Sequence, residues 1–100
     1  MDTYAVIFTS QRNEKDSAGY ERMSESMVEA AKKQPGFLRV ESLRNSGGFG
    51  ITISYWDSLD AIKNWKEHSE HLKAQKAGKE NWYDSFKVEI CKIEKEYSSS

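Results

Sequence analysis

The segment from Gly47 to Gln75 constrains the fold more than any other part of the chain. Two glycines open it, and residues 49–56 then alternate between apolar side chains and a second set that ends on Trp56. A period of two is typical of a β-strand with two different faces. Asp57 or Ser58 can cap a helix that follows directly. The segment therefore predicts a turn, a strand and a helix in immediate succession.

Three further strands are predicted from β-branched and aromatic runs. YAVIFTS predicts strand one over residues 4–10, and FLRVESLR predicts strand two over residues 37–44. The last strand is expected from about Phe86 to Tyr97. Its apolar phase shifts by one residue at Cys91, which predicts a β-bulge at that point.

Two helices separate these strands. The first is expected from Asp16 or Ser17 to about Lys33, because apolar residues recur there at steps of three and four: Tyr20, Met23, Met27 and Ala30. Pro35 and Gly36 should end it. The second helix is expected from Ser58 to about Ala77.

The order β-α-β-β-α-β predicts an α+β, ferredoxin-like domain with both helices on one face of a four-stranded antiparallel sheet. We expect one domain over residues 1–97 and a flexible tail over 98–100. The face without helices should carry groups such as Ile7 and Trp56, which would leave a broad apolar patch in water. A second copy can cover that face, so the sequence predicts a homodimer.

Charge and composition exclude several classes of partner. The net charge is −1, which gives no basic surface for nucleic acid. No apolar run approaches the roughly 20 residues that span a bilayer, and no signal pattern opens the chain. The single cysteine, Cys91, fits a reducing compartment. We therefore expect a cytoplasmic protein with no membrane or nucleic-acid partner.

The chain as a whole resembles the small stand-alone bacterial members of the antibiotic biosynthesis monooxygenase family. The resemblance covers about residues 4–97 and is carried by these segments: YAVIFTSQR, QPGFLRVESLR, GGFGITISYW, IKNWKEHSEHLKAQKAG and NWYDSF. It implies a dimeric α+β barrel of ferredoxin-like subunits. It also implies an oxygenase, since the family includes quinone-forming monooxygenases that use O₂ without metal or flavin.

A heme-degrading branch of that family allows a check by residue. Its pattern has a tryptophan on the second helix, a heme-ligating histidine ten positions later and an asparagine on the first strand. Trp65 matches the tryptophan, but Gln75 stands at the histidine position and strand one has no asparagine. The resemblance therefore disfavours heme degradation, although His68 or His71 could ligate iron from another angle.

Four aromatic residues are candidates for substrate binding. Trp65 could form the wall of a pocket between helix and sheet, or simply be a core residue of an amphipathic helix. Trp56 could line that pocket or lie in a dimer core. Trp82 and Tyr83 could cap the mouth of the pocket or hold the last strand in place.

The polar candidates are fewer. His71, and after it His68, could act as the catalytic base, because an unperturbed imidazole titrates near neutrality; either could instead be structural or solvent-exposed. Gln75, one turn beyond His71, could orient it, and Arg44 could attract an anionic oxygen or be a solvated charge. Two imidazoles without a third ligand predict no metal site. No glycine-rich phosphate loop opens a helix, so no nucleotide or flavin cofactor is expected.

The resemblance implies a cofactor-independent monooxygenase that oxidises an aromatic or quinol-like small molecule. The residues themselves supply a candidate aromatic pocket and a candidate base, His71, which would take a proton before reaction with O₂. The alternatives are a dimeric binding or stress-response module without turnover and a heme-binding protein.

Overall fold

A computed structural model describes residues 2–14, 17–77 and 83–99, and of residues 73–77 the backbone only. The elements run in the predicted order: β1 Thr3–Arg12, α1 Ser17–Lys32, β2 Phe37–Arg44, β3 Phe49–Trp56, α2 Leu59–Ala77 and β4 Tyr83–Ile93. The last strand begins three residues and ends four residues earlier than predicted. In the described part of the chain, neither helix is long and apolar enough to cross a membrane.

The four strands form one antiparallel sheet in the order β2-β3-β1-β4, the arrangement of a ferredoxin-like domain. β1 lies in the middle and pairs with both β3 and β4. The predicted bulge at Cys91 is wrong, because the β1–β4 pairing continues unbroken through the Ala5–Cys91 pair. The register shifts between Gln11 and Arg12 instead. The apolar residues of β4 change step at Cys91 because they lie on one face of the sheet before it and on the other face from Cys91 onward.

The core lies between the sheet and the helices, and Trp56 is its centre. Trp56 is fully buried and clusters with Ala31 of α1 and with Ala61 and Ile62 of α2. Its indole N–H donates to the Ser54 hydroxyl at 2.9 Å, so its polar atom is satisfied inside the core.

The prediction that Trp56 shares the helix-free face with Ile7 is therefore wrong. Trp56 pairs with Tyr4 and Ile7 pairs with Ile53. Tyr4 and Ile7 are three positions apart in one strand, so their side chains point to opposite faces. Trp56 consequently faces the helices together with Tyr4.

The connections position α2 over the sheet. Gly36 adopts a φ of 87° where β2 begins, and its carbonyl accepts a hydrogen bond of 2.9 Å from the amide of Asp57. A side chain at Gly36 would come within 2.6 Å of the Ala61 Cβ atom. The Ser58 hydroxyl accepts a 3.0 Å hydrogen bond from the amide of Ala61, which confirms the predicted cap.

Two apolar surfaces of the sheet remain exposed. We call the first the open face; it lies on the side without helices and includes Leu43 (83% exposed), Phe49 (45%) and Ile51 (39%). We call the second the apolar floor; it consists of Phe86 (67% exposed), Val88 (52%) and Ile90 (53%) of β4. The floor residues pair with Ser10, Phe8 and Val6 of β1. Val6 packs against the core, so the floor lies on the helix side of the sheet.

Candidate functional site

An aromatic stack leads from the core to the surface along α2. Phe37 meets Trp56 edge-on, with ring centroids 5.5 Å apart, and Trp65 stacks on Trp56 at 5.9 Å. His68, one turn further along α2, lies 6.1 Å from the Trp65 ring. Trp65 is half-buried, so one part of its ring supports the core while another part is accessible.

The two histidines lie at the surface of α2. Both are exposed, and both border an open groove of about 470 Å³ lined by Gln34, Asn64, Glu67, His68, His71 and Leu72. Gln34 follows α1, so this groove runs between α2 and the end of α1. Of the two imidazoles, His68 contacts the ring of Trp65, whereas the position of His71 is one turn further from the stack.

The apolar floor lies on the same side of the sheet as Trp65. Phe8 of β1 borders it, with its ring centroid 5.9 Å from that of Phe86. Side chains of this type on the helix side of a sheet usually belong to the core, yet each floor residue is more than half exposed. The floor can therefore accept the face of a planar apolar molecule.

A second cluster lies at the other end of the sheet and joins residues of β1, α1, β2 and β4. The Arg12 guanidinium lies 4.1 Å above the ring of Tyr20, and the Tyr20 ring centroid is 6.0 Å from that of Tyr83. Arg44 donates to the Ser10 hydroxyl at 2.9 Å, to the Tyr20 hydroxyl at 3.0 Å and to the carbonyl of Gly48. We call Arg12, Tyr20, Arg44 and Tyr83 the Arg–Tyr cluster.

The phenol of Tyr83 is held in its protonated form. Burial raises its pKa well above the ordinary value, and the neighbouring Tyr20 raises it further, while Arg44 and Arg12 act in the opposite direction. Tyr83 therefore carries no charge near neutral pH and keeps a hydroxyl proton.

Backbone geometry makes room for Arg44. A Cβ atom on Gly50 would lie 2.5 Å from the Arg44 Cζ atom, so the guanidinium lies flat against the glycine on the neighbouring strand. Arg44 was expected as a possible anion-attracting group, and the structure brings it together with Tyr83 through Tyr20. Trp56 and Trp65 come together in the separate aromatic stack.

Arg12 and Tyr20 were missed by sequence reasoning. The sequence pattern predicts Tyr20 only as part of the apolar stripe of α1, and the predicted strand one ends at residue 10, before Arg12. One signal was available, since the period of two that places Val6 and Phe8 under the helices continues to Arg12. The side chain of Gln75 and the whole of Trp82 lie outside the described residues. Across residues 2–14, 17–77 and 83–99, no group of three or more metal-ligating side chains converges.

Comparison with known proteins identifies relatives over nearly the whole chain. The family model described as antibiotic biosynthesis monooxygenase matches residues 3–77. The uncharacterised protein YqjZ of Bacillus subtilis strain 168 is 50% identical over 93 residues, which cover 93% of this chain and 81% of that protein.

Solved structures share the fold at low sequence identity. SnoaB, a cofactor-independent oxygenase from Streptomyces nogalater, superposes with a TM-score of 0.73 at 16% identity and covers 99% of this chain and 100% of its own. An MhuD variant with two manganese protoporphyrin IX molecules per active site gives a TM-score of 0.74 at 14% identity, covering 96% and 99%.

Proposed function

Because the chain belongs to the antibiotic biosynthesis monooxygenase family, we propose that it is a cofactor-independent monooxygenase acting on an aromatic or quinol-like small molecule. The observation that carries this proposal is the exposed apolar floor, which lies on the same side of the sheet as the half-buried Trp65. The fold shared with SnoaB, a cofactor-independent oxygenase, supports the same reaction type.

The proposed binding site uses the floor and Trp65 as two apolar surfaces. A flat ring lying on Phe86 and Val88 would replace water over side chains that are 67% and 52% exposed. Removing that surface from water favours binding at about 25 cal/mol per Å². The Trp65 ring, fixed by its stack on Trp56, offers a rigid wall that loses little conformational freedom when a substrate binds.

The proposed base is a histidine of α2. A phenol or hydroquinone gives up an electron to O₂ more readily after losing its proton, so a nearby imidazole would promote the reaction. Sequence reasoning ranks His71 ahead of His68. The geometry favours His68, because its ring contacts Trp65. Both histidines remain candidates for the base, and substituting each one separately would show which contributes more to turnover.

The proposed enzyme is a homodimer joined through the open face. Support comes from the exposure of Leu43, Phe49 and Ile51, three large apolar side chains on neighbouring strands of one surface. A second copy meeting this surface would bury it isologously, which is the commonest way for identical subunits to associate. Ring binding takes place on the opposite side of each sheet, so dimerisation leaves the floor available.

The test is oxygen consumption with a panel of reduced naphthols and hydroquinones. Turnover above the autoxidation rate, lost in Trp65→Ala but not in Arg22→Gln, would support the proposal; Arg22 is exposed on α1 and belongs neither to the floor nor to the aromatic stack. Saturable binding of the panel without oxygen uptake would instead identify a binding module. The absence of both would contradict the proposed site.

A further inference from the structure

We infer that the Arg–Tyr cluster is an anion-binding subsite, and that the ligand on the apolar floor is an aromatic compound bearing a carboxylate held by Arg12. This inference deepens the proposed function and rests on its assignment of an aromatic ligand.

The guanidinium of Arg12 has buried N–H groups that lack acceptors. Its Nε and Nη2 atoms are shielded from solvent and, in the described part of the chain, find no hydrogen-bond partner. Leaving the donors of a charged group unsatisfied away from water is costly, and native proteins rarely do so without a reason. An acceptor that arrives with a ligand supplies the reason.

The Tyr20 ring satisfies Arg12 only in part. The Arg12 Cζ atom lies over the ring, 4.1 Å from its centroid, so the cation meets the electron-rich face of the ring. The N–H bonds, however, lie in the plane of the guanidinium and point past its edges. A carboxylate that accepts from Nε and Nη2 together would form a bidentate pair, and this requires the Arg12 side chain to move enough to uncover these two buried atoms.

The cluster has positive charge that no described carboxylate offsets. None of the ion pairs among residues 2–14, 17–77 and 83–99 includes Arg12 or Arg44. Arg44 donates instead to two hydroxyls and a backbone carbonyl, all of them neutral. Two cations that share contact with the Tyr20 ring should attract an anion strongly in such a partly desolvated place.

The position of the cluster indicates an aromatic anion over a simple inorganic one. Arg12 pairs directly with Tyr83 in the β1–β4 ladder, and the floor begins at Phe86. The Tyr83 ring contacts that of Phe8 at 5.4 Å, which joins the cluster to the border of the floor without a gap. A ring on the floor would therefore place a substituent at the cluster, on the side where Arg12 pairs with Tyr83.

The experiment compares two probes that differ only in the carboxylate, 3-hydroxy-2-naphthoate and 2-naphthol, by isothermal titration calorimetry with the full chain. The wild-type protein should bind the acid at least about tenfold more tightly than the naphthol, which is the increment expected of a charge-assisted hydrogen bond. Arg12→Gln should weaken binding of the acid by about ten- to hundredfold and leave 2-naphthol within about threefold. Equal affinities for the two probes in the wild type would overturn the inference, and that comparison needs no variant.

Arg39→Gln is the matched control. Arg39 also lies over a tyrosine ring, 4.0 Å from the centroid of Tyr55, but on the open face of the sheet. Its substitution removes the same charge and the same kind of ring contact, and should leave binding of the acid unchanged. A loss of acid binding equal to that of Arg12→Gln would overturn the assignment to Arg12.

Two further measurements test whether the ligand is aromatic and whether this inference stands or falls separately from the proposed oxygenase. Inorganic phosphate should bind more weakly than 3-hydroxy-2-naphthoate; equal or tighter binding of phosphate would overturn the aromatic part of the inference. Oxygen consumption is measured separately with uncharged quinols. Failure of acid recognition with normal quinol turnover would refute this inference alone, whereas acid recognition without turnover would refute only the proposed oxygenase.

Discussion

Trp65 stacks on Trp56 with 5.9 Å between ring centroids and 24° between ring planes. The buried ring comes from the end of β3 and the half-buried ring from the second turn of α2. The pair thus joins the centre of the core to the edge of the proposed substrate site, and the two residues should have separable roles.

Substitution should separate stability from binding in this pair. Trp56→Ala leaves a large cavity in the core and should lower the free energy of unfolding by about 3–5 kcal/mol, whereas Trp65→Ala should cost about 1–3 kcal/mol. Urea unfolding followed by circular dichroism measures both. Trp56→Phe serves as the milder control. Equal losses for the two alanine variants would contradict the assigned roles.

The two histidines should differ in their effect on turnover. His68→Gln should lower the rate of substrate-dependent oxygen consumption by about 10²–10⁴-fold, because a general base contributes that much to proton transfer. His71→Gln should change it by less than about tenfold. Each is the other's control, since both side chains are exposed on the same helix. The opposite order would restore His71 as the base.

A charge on the open face should prevent self-association. The wild-type protein should sediment as a dimer at low micromolar concentration, and Ile51→Glu should sediment as an 11.5 kDa monomer, because desolvating a carboxylate in an apolar interface is costly. Leu59→Glu is the control, since Leu59 is 54% exposed at the start of α2 and away from the open face. A wild-type monomer at this concentration would rule out the proposed interface.

Tyr83 should make the protein sensitive to alkali. Its folded pKa lies above the unfolded value of about 10, so the unfolded chain releases this proton first as pH rises. The contribution of Tyr83 to stability is therefore fully present below about pH 10 and is lost as pH rises toward the folded pKa. Urea unfolding at pH 8 and pH 11 should show a smaller loss of stability in Tyr83→Phe than in the wild type.

The control for this pH effect is Tyr97→Phe, because Tyr97 is 87% exposed. It should lose as much stability at pH 11 as the wild type does. The comparison between the two variants removes the contribution of lysines, which titrate in the same range.

Gly36 should tolerate no side chain. Gly36→Ala forces a left-handed backbone on alanine, and the new Cβ would lie 2.5 Å from the Asp57 Oδ1 atom, so the free energy of unfolding should fall by about 1–3 kcal/mol or more. Gly47→Ala is the control, because its Cβ would lie 3.4 Å from Asn45 Oδ1, an ordinary contact. Thermal unfolding should show a large shift for the first variant and a small one for the second.

Local patterns determined the elements and their order. The alternation in residues 49–56, the cap at Ser58 and the break at Gly36 each depend on neighbours within a few positions, and the structure confirms all three. Such signals survive in the sequence because strand and helix periods, caps and tight turns are properties of short segments.

Only the tertiary structure decided which side chains meet. The period of two assigns Trp56 and Ile7 each to one face of its own strand. Only the pairing register between β1 and β3 decides which faces of the two strands lie on the same side of the sheet, and this register places Trp56 under the helices. The Arg–Tyr cluster draws its four residues from β1, α1, β2 and β4, so no local pattern contains it. Long-range pairing and helix packing bring these residues together, and those depend on the whole chain at once.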